Sequence, residues 1–143
     1  DLRLAVAESC TGGALAALLT DVEDLSHAFD RGYVVYTDEA KQECLGVDAD
    51  LIESQGAVSE AVAMAMARGA LTRSQAGIAV AITGNAGPAG PDDEEGLVHI
   101  AAASRDGRCK SQEHHFGPIG RAAVRMRALE AALGLLDTSI GTA

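Results

Sequence analysis

Residues 2–20 read Leu-Arg-Leu-Ala-Val-Ala-Glu-Ser-Cys-Thr-Gly-Gly-Ala-Leu-Ala-Ala-Leu-Leu-Thr, and this stretch decides the fold. Leu2 to Ala7, apolar except for Arg3, has the length and pattern of a buried strand. Glu8 to Gly13 is a polar, glycine-rich turn, and Ala14 to Thr20 is built from good helix formers. A strand, a tight turn and a helix in that order are the first half of a βα unit. Such a turn carries its serine at the C-terminal edge of a sheet, with the amides of the helix start expected to face the same spot. That geometry serves either an activated nucleophile with an oxyanion hole or an anion-binding loop. It also fits a plain helix cap made by Ser9 or Thr11.

Outward from this unit, residues 32–36 (GYVVY) predict a second strand. Asp38 is placed as the N-cap of a helix over 39–45 that Gly46 stops, and a short helix follows over 49–54. Ser59 caps a helix reaching Leu71, and residues 77–83 form a central strand ended by Gly84-Asn85-Ala86-Gly87-Pro88. Strands over 96–104 and 109–116 flank Asp106-Gly107, a strong hairpin turn. The last helix is expected over 119–136, with Pro118 near its first turn. Helices alternating with strands, plus a late hairpin, predict a three-layer α/β/α fold with a mixed sheet, in one domain over residues 1–143. The chain opens on Asp1 and enters a strand almost at once, so an N-terminal element is expected to be missing.

Composition limits the function. The chain carries 11 Lys+Arg against 21 Asp+Glu, a formal charge of −10, with only 3% aromatic residues. A nucleic-acid binder needs a basic face with stacking rings, so nucleic acid is excluded as a partner. Apolar content of 48% is enough for a core, and with 28 alanines and 16 glycines that core must consist of small side chains and close backbones. Small-residue helices of this kind also suit a homo-oligomer. Neither a leader nor a membrane span is expected. Three scattered cysteines without a CxxC pair read as reduced thiols, and the expected setting is the cytoplasm. The four histidines lack metal-ligand spacing, and neither a metal nor a cofactor is expected. Asp92 to Glu95 reads as a solvated acidic loop.

Chemistry concentrates at four places. Ser9 sits on the first turn. Lys41 lies early in the helix after the second strand, where the helix dipole disfavours it. It is either a solvated surface lysine or, if desolvated beside Ser9, a base of lowered pKa. The loop from Thr83 to Pro88 ends a central strand, where α/β folds place their ligand crevices. Arg121 and Arg125, four apart on one helix face, can clamp an anion.

Taken in order, AESCTGG at 7–13, the pattern Ser26-x-x-Phe29-x-x-Gly32-x-Val34-x-Tyr36-x-x-x-Ala40-Lys41, LGV at 45–47, GAVSE at 56–60, TGxAGP at 83–88 and Phe116-Gly117 before Arg121 and Arg125 resemble the CinA C-terminal domain family, the nicotinamide mononucleotide deamidases. The resemblance covers nearly the whole chain. It implies hydrolysis of nicotinamide mononucleotide to nicotinate mononucleotide and ammonia, in pyridine nucleotide recycling. It also implies Ser9 as nucleophile and Lys41 as general base, with Tyr36 orienting the pair or relaying a proton. A small anionic nucleotide substrate is then expected among Glu8, Thr11, Gly12, Gly13, Ser26, Thr83, Gly84, Gly87, Arg121 and Arg125. The alternatives are an amidase of altered substrate and a nucleotide-binding module of the same fold with little or no turnover. Two departures bear on them. The family's longer glycine-rich loop after AGP, with its Lys-Pro-Val-Gly-Thr-Val run, is here shortened to Ala89-Gly90-Pro91 and four acids. Asn85 stands where a small aliphatic residue is usual.

Overall fold

The computed structural model describes residues 2–141. Eleven elements follow along the chain: β1 (Leu4–Glu8), α1 (Ala14–Asp21), α2 (Glu23–Ser26), β2 (Phe29–Val34), α3 (Asp38–Leu45), α4 (Ala49–Gln55), α5 (Glu60–Thr72), β3 (Ile78–Gly84), β4 (Leu97–Ser104), β5 (Cys109–His115) and α6 (Arg121–Gly141). The five strands form one sheet in the order β2-β1-β3-β4-β5. β1 pairs in parallel with both β2 and β3, whereas β4 and β5 are antiparallel to their neighbours. The sheet is therefore mixed, with helices on both faces.

Side chains alternate across a strand, and here the alternation sorts them by size. Leu4, Val6, Ile78, Val80, Ile82, Val98 and Ile100 pack on one face with Leu15 and Leu19 of α1 and with Val124, Ala128 and Leu135 of α6. The opposite face is almost pure alanine, with Ala5, Ala7, Ala79, Ala81, Ala101 and Ala103 meeting Val62, Ala63, Met66, Ala67 and Ala70 of α5. Small side chains on both partners let α5 lie close to the sheet. Behind α5, the Leu45 carbonyl approaches so near Gly69 that a β-carbon there would sit 2.2 Å from it. Among the described residues, no helix is long and apolar enough to cross a membrane.

Several local expectations shift. The second strand begins at Phe29, not residue 32, because Phe29 pairs with Leu4 and packs into the bulky core. Its last rung is the Val35 amide donating to the Glu8 carbonyl at 2.8 Å, which leaves Tyr36 beyond the sheet. Thr37, not Asp38, caps α3, accepting from the Ala40 amide at 3.0 Å. A hydroxyl in extended backbone reaches that amide, whereas Asp38 already lies in the first turn. α2 was not anticipated, since four residues carry too little periodicity to show. α6 starts at Arg121, after Gly120 at φ 100°, and runs to Gly141.

Candidate active site

The turn after β1 is built around Glu8. Its carboxylate is fully buried and accepts from Thr11 Oγ1 at 2.6 Å, the Leu15 amide at 2.8 Å and the Ala16 amide at 3.0 Å. Those two amides belong to the first turn of α1, whose N-cap Gly13, at φ 101°, offers no side chain. Glu8 thus does from inside the protein what a capping side chain does elsewhere. This corrects two expectations. The helix-start amides of Leu15 and Ala16 are committed to Glu8 and do not await a ligand. Neither Ser9 nor Thr11 caps the helix: the Thr11 hydroxyl donates to Glu8 and is itself buried.

With the turn held this way, Ser9 projects into a cavity of about 280 Å³ at the C-terminal ends of β1 and β3. Lys41 reaches it from α3, with Nζ 3.2 Å from Ser9 Oγ. Both residues are buried, Lys41 with only 1% of its surface exposed. Of the two readings of Lys41, the structure selects the desolvated one. Burial pushes its ammonium below the ordinary lysine range, partly opposed by the Asp38 carboxylate. Asp38 lies three residues before Lys41 on the same helix face, and that proximity was legible from the spacing alone. The thiol of Cys10, beside Ser9, is pushed up to about 11 by its own burial, so it stays protonated.

The remaining wall comes from Tyr36, Asp38, Ala57, Val58, the loop Thr83 to Gly90, Asp93 and Arg121. Thr83 is oriented by donating to the Ala57 carbonyl at 2.9 Å. The Tyr36 phenol is held by Arg121, which donates to that oxygen at 2.7 Å and to the Gly87 carbonyl at 2.9 Å. The contact between Tyr36 and Lys41 is made by the backbone, with Nζ 3.4 Å from the Tyr36 carbonyl. Arg125 points elsewhere, donating to the Thr11 carbonyl at 2.9 Å and lying over Gly12. It braces the turn from behind. Of the expected site residues, Ser9, Lys41, Tyr36, Thr83, Gly84, Gly87 and Arg121 share the cavity. Glu8, Thr11, Gly12, Gly13 and Arg125 shape the turn without lining it. Ser26 stands apart on α2, exposed, with its hydroxyl donating to the Glu23 carbonyl.

The CinA C-terminal domain model matches residues 1–140. The chain belongs to the CinA C-terminal domain family. A CinA-like protein of Akkermansia muciniphila is 46% identical over 140 residues, covering 96% of this chain and 34% of the relative. One from Chlorobaculum tepidum is 49% identical over 141 residues, covering 94% and 33%. This CinA domain therefore spans about a third of the length of the curated relatives it matches. Among solved structures, the competence/damage inducible protein CihA of Agrobacterium tumefaciens superposes with a TM-score of 0.93 at 44% identity, over 96% of this chain and 84% of that one. A CinA superfamily protein of Escherichia coli gives 0.89 at 39% identity, covering 94% and 78%. The mixed five-stranded sheet is thus the architecture of the CinA superfamily.

Proposed function

We propose that this domain is a serine–lysine amidohydrolase that converts nicotinamide mononucleotide to nicotinate mononucleotide and ammonia, in cytoplasmic pyridine nucleotide recycling. The observation that carries the reading is the 3.2 Å contact between a buried, pKa-lowered Lys41 and Ser9 at the floor of an open cavity. A carboxamide is a poor electrophile, so its hydrolysis needs an activated nucleophile and a proton for the leaving nitrogen. Neutral Lys41 takes the Ser9 proton as Oγ bonds to the carbonyl carbon. The resulting ammonium gives that proton to the departing nitrogen as the C–N bond breaks and ammonia leaves. Water then attacks the Ser9 ester, with Lys41 as base again, and releases the acid and the free serine. No cofactor enters the scheme.

Lysine suits both roles because desolvation weakens its hold on the proton. The Tyr36 carbonyl helps aim Nζ at Ser9, and Glu8 holds the turn that presents the serine. The experiment is ammonia release from nicotinamide mononucleotide by the protein and by Ser9→Ala and Lys41→Ala. Each substitution is expected to abolish release while leaving the fold intact. Undiminished release from either variant refutes the proposal.

A further inference from the structure

The acidic run Asp92 to Glu95 and the pair His114-His115 meet where the loop between β3 and β4 passes the end of β5. His114 and His115 point to opposite faces, as neighbours on a strand do. His114 stacks on Phe116, with ring centroids 5.2 Å apart, and its Nε2 lies 2.9 Å from the Gln112 side chain. His115 sits between two carboxylates: Nδ1 contacts Glu94 of the loop, and Nε2 lies 2.9 Å from Glu113 of its own strand. The other oxygen of Glu113 is 3.5 Å from Nε2 of His99, a buried residue of β4. A chain of alternating acids and imidazoles thus runs from the loop into the sheet.

Glu94 is held twice. Its backbone carbonyl accepts from Asn85 Nδ2 at 3.2 Å, and its carboxylate meets His115. The two departures noted in the sequence, Asn85 and the short acidic loop, therefore come together at this residue. Gly90 and Asp93, linked by the Asp93 amide donating to the Gly90 carbonyl at 3.1 Å, line the cavity that contains Ser9 and Lys41. Residues 90–94 are all exposed. Burial does little to fix this wall, so its position depends on polar ties such as those at Glu94.

The tie to His115 depends on a proton. An ionised carboxylate only accepts hydrogen bonds, and a neutral imidazole has a single donor. Both ring nitrogens can donate to their carboxylates only when the ring is an imidazolium. Loss of the proton leaves one hydrogen bond for two carboxylates and removes the charge that draws Glu94 to β5.

The surroundings favour the charged ring. Hydrogen bonds to Glu94 and to Glu113 hold His115 above the ordinary histidine value, against some desolvation. Burial holds neighbouring His114 below that value, so between the two His115 is charged and His114 is not. On β4, Leu97 lies across from His115 and His99 across from Glu113. From α5, Glu60 and Arg68 act on Cys109 at the other end of β5. α6 packs on the opposite face of the sheet, and its Arg121 is turned to Tyr36 and Gly87. Within the loop, Glu95 lies against Gly87, while Asp92 and Asp93 add negative charge beside Glu94.

We propose that His115 is a positioning residue for the candidate active site: its protonated ring clasps Glu94, holding the loop that carries Gly90 and Asp93 as a wall of the cavity, and its deprotonation loosens that wall. The clasp is complete below the ordinary histidine value and is lost as pH rises through the raised value of His115. Only its effect on turnover rests on the amidohydrolase reading. His115, Glu94 and Glu113 are each about half exposed. Water therefore screens the pairs, and the effect on substrate affinity is about threefold.

NMR spectra of the wild type, His115→Gln and Glu94→Gln, recorded from about pH 5 to about pH 9, test the clasp. In the wild type the Gly90 and Asp93 amides are expected to shift with the same midpoint as the His115 ring. That transition should disappear in His115→Gln, whose side chain keeps a donor but does not titrate. In Glu94→Gln the midpoint of the ring should fall toward the ordinary value. Loop amides that do not follow the ring, or a ring indifferent to Glu94, overturn the clasp. For the effect on the site, KM for nicotinamide mononucleotide in the wild type, divided by that of His115→Gln, is expected to rise about threefold across the same window, with kcat equal in the two. Titration of the substrate's own phosphate cancels in this ratio. A ratio flat with pH overturns the positioning role even if the loop amides follow the ring. If the mononucleotide binds without being hydrolysed, the same ratio is read from calorimetric Kd values: the missing turnover then refutes the reaction, and a threefold rise in Kd still supports the clasp. Absence of binding overturns the positioning role along with the reaction.

Discussion

Glu8 offers the sharpest test of how the nucleophile is positioned, because a ligand role and a structural role predict opposite outcomes. Its carboxylate holds Thr11 Oγ1, Leu15 N and Ala16 N, and both Thr11 and Leu15 are fully enclosed. Glu8→Ala removes the acceptor and strands two buried donors, at about 1–3 kcal/mol each. Loss of the inward cap on α1 adds about 1 kcal/mol. Relief from burying the carboxylate offsets part of this, so a net loss of about 3–4 kcal/mol is expected. For a chain of this size that lowers the melting temperature by about 10 °C. Glu8→Gln keeps an acceptor but turns an amide NH₂ toward donors that need one, and is expected to cost about half as much. Urea unfolding and thermal melts of both variants measure the effect. If Glu8→Ala stays within about 1 kcal/mol of the wild type while KM for the amide rises, Glu8 is a substrate ligand and this account of the turn is wrong.

Lys41→Met is expected to lower kcat by about 10²–10⁴, the usual contribution of general acid–base catalysis. Its stability should stay within about 1 kcal/mol of the wild type, since one modest hydrogen bond is exchanged for apolar packing; a large loss of stability would make Lys41 a structural residue. With the pKa of Lys41 below its ordinary 10.5, activity rises with pH as the amine loses its proton. In the same window the unfolded chain binds the proton and the folded one does not, so stability also rises with pH up to the ordinary value. The rise in stability should vanish in Lys41→Met, as urea midpoints across that window would reveal. Gly69→Ala is expected to destabilise by about 1–3 kcal/mol, because its β-carbon meets the Leu45 backbone and not a yielding side chain. An unchanged melting temperature would show that α5 and the end of α3 are not in close contact.

Much of this protein was legible in one dimension. The strand–turn–helix unit at residues 2–20 identified an α/β fold because hydrophobic period and turn chemistry are local properties of the chain. The Asp106-Gly107 hairpin followed for the same reason, with Gly107 at φ 93° in a tight turn. Period-two alternation even carried the unequal faces of the sheet, with alanines at 5, 7, 79 and 81 alternating with the larger Leu4, Val6, Ile78, Val80 and Ile82. Ser9 and Lys41 stood out as candidates, but 32 residues separate them, and only packing α3 against the end of β1 makes them a pair.

Which polar groups face the cavity is a tertiary outcome. Glu8 and Thr11 share a motif with Ser9, and Arg125 one with Arg121, yet the fold turns them into the supports of the turn. A buried donor takes whichever acceptor the packing brings within reach, and nothing in the order of residues names that acceptor. Asp38 and Asp93 show the converse: one looked like a helix cap and the other like a solvated loop residue, and both line the cavity. The sequence by itself determined every element but α2, their order and the chemical types available. The tertiary structure alone decided the partners, because hydrogen bonds, desolvation and charge depend on distances between segments that the chain separates by tens of residues.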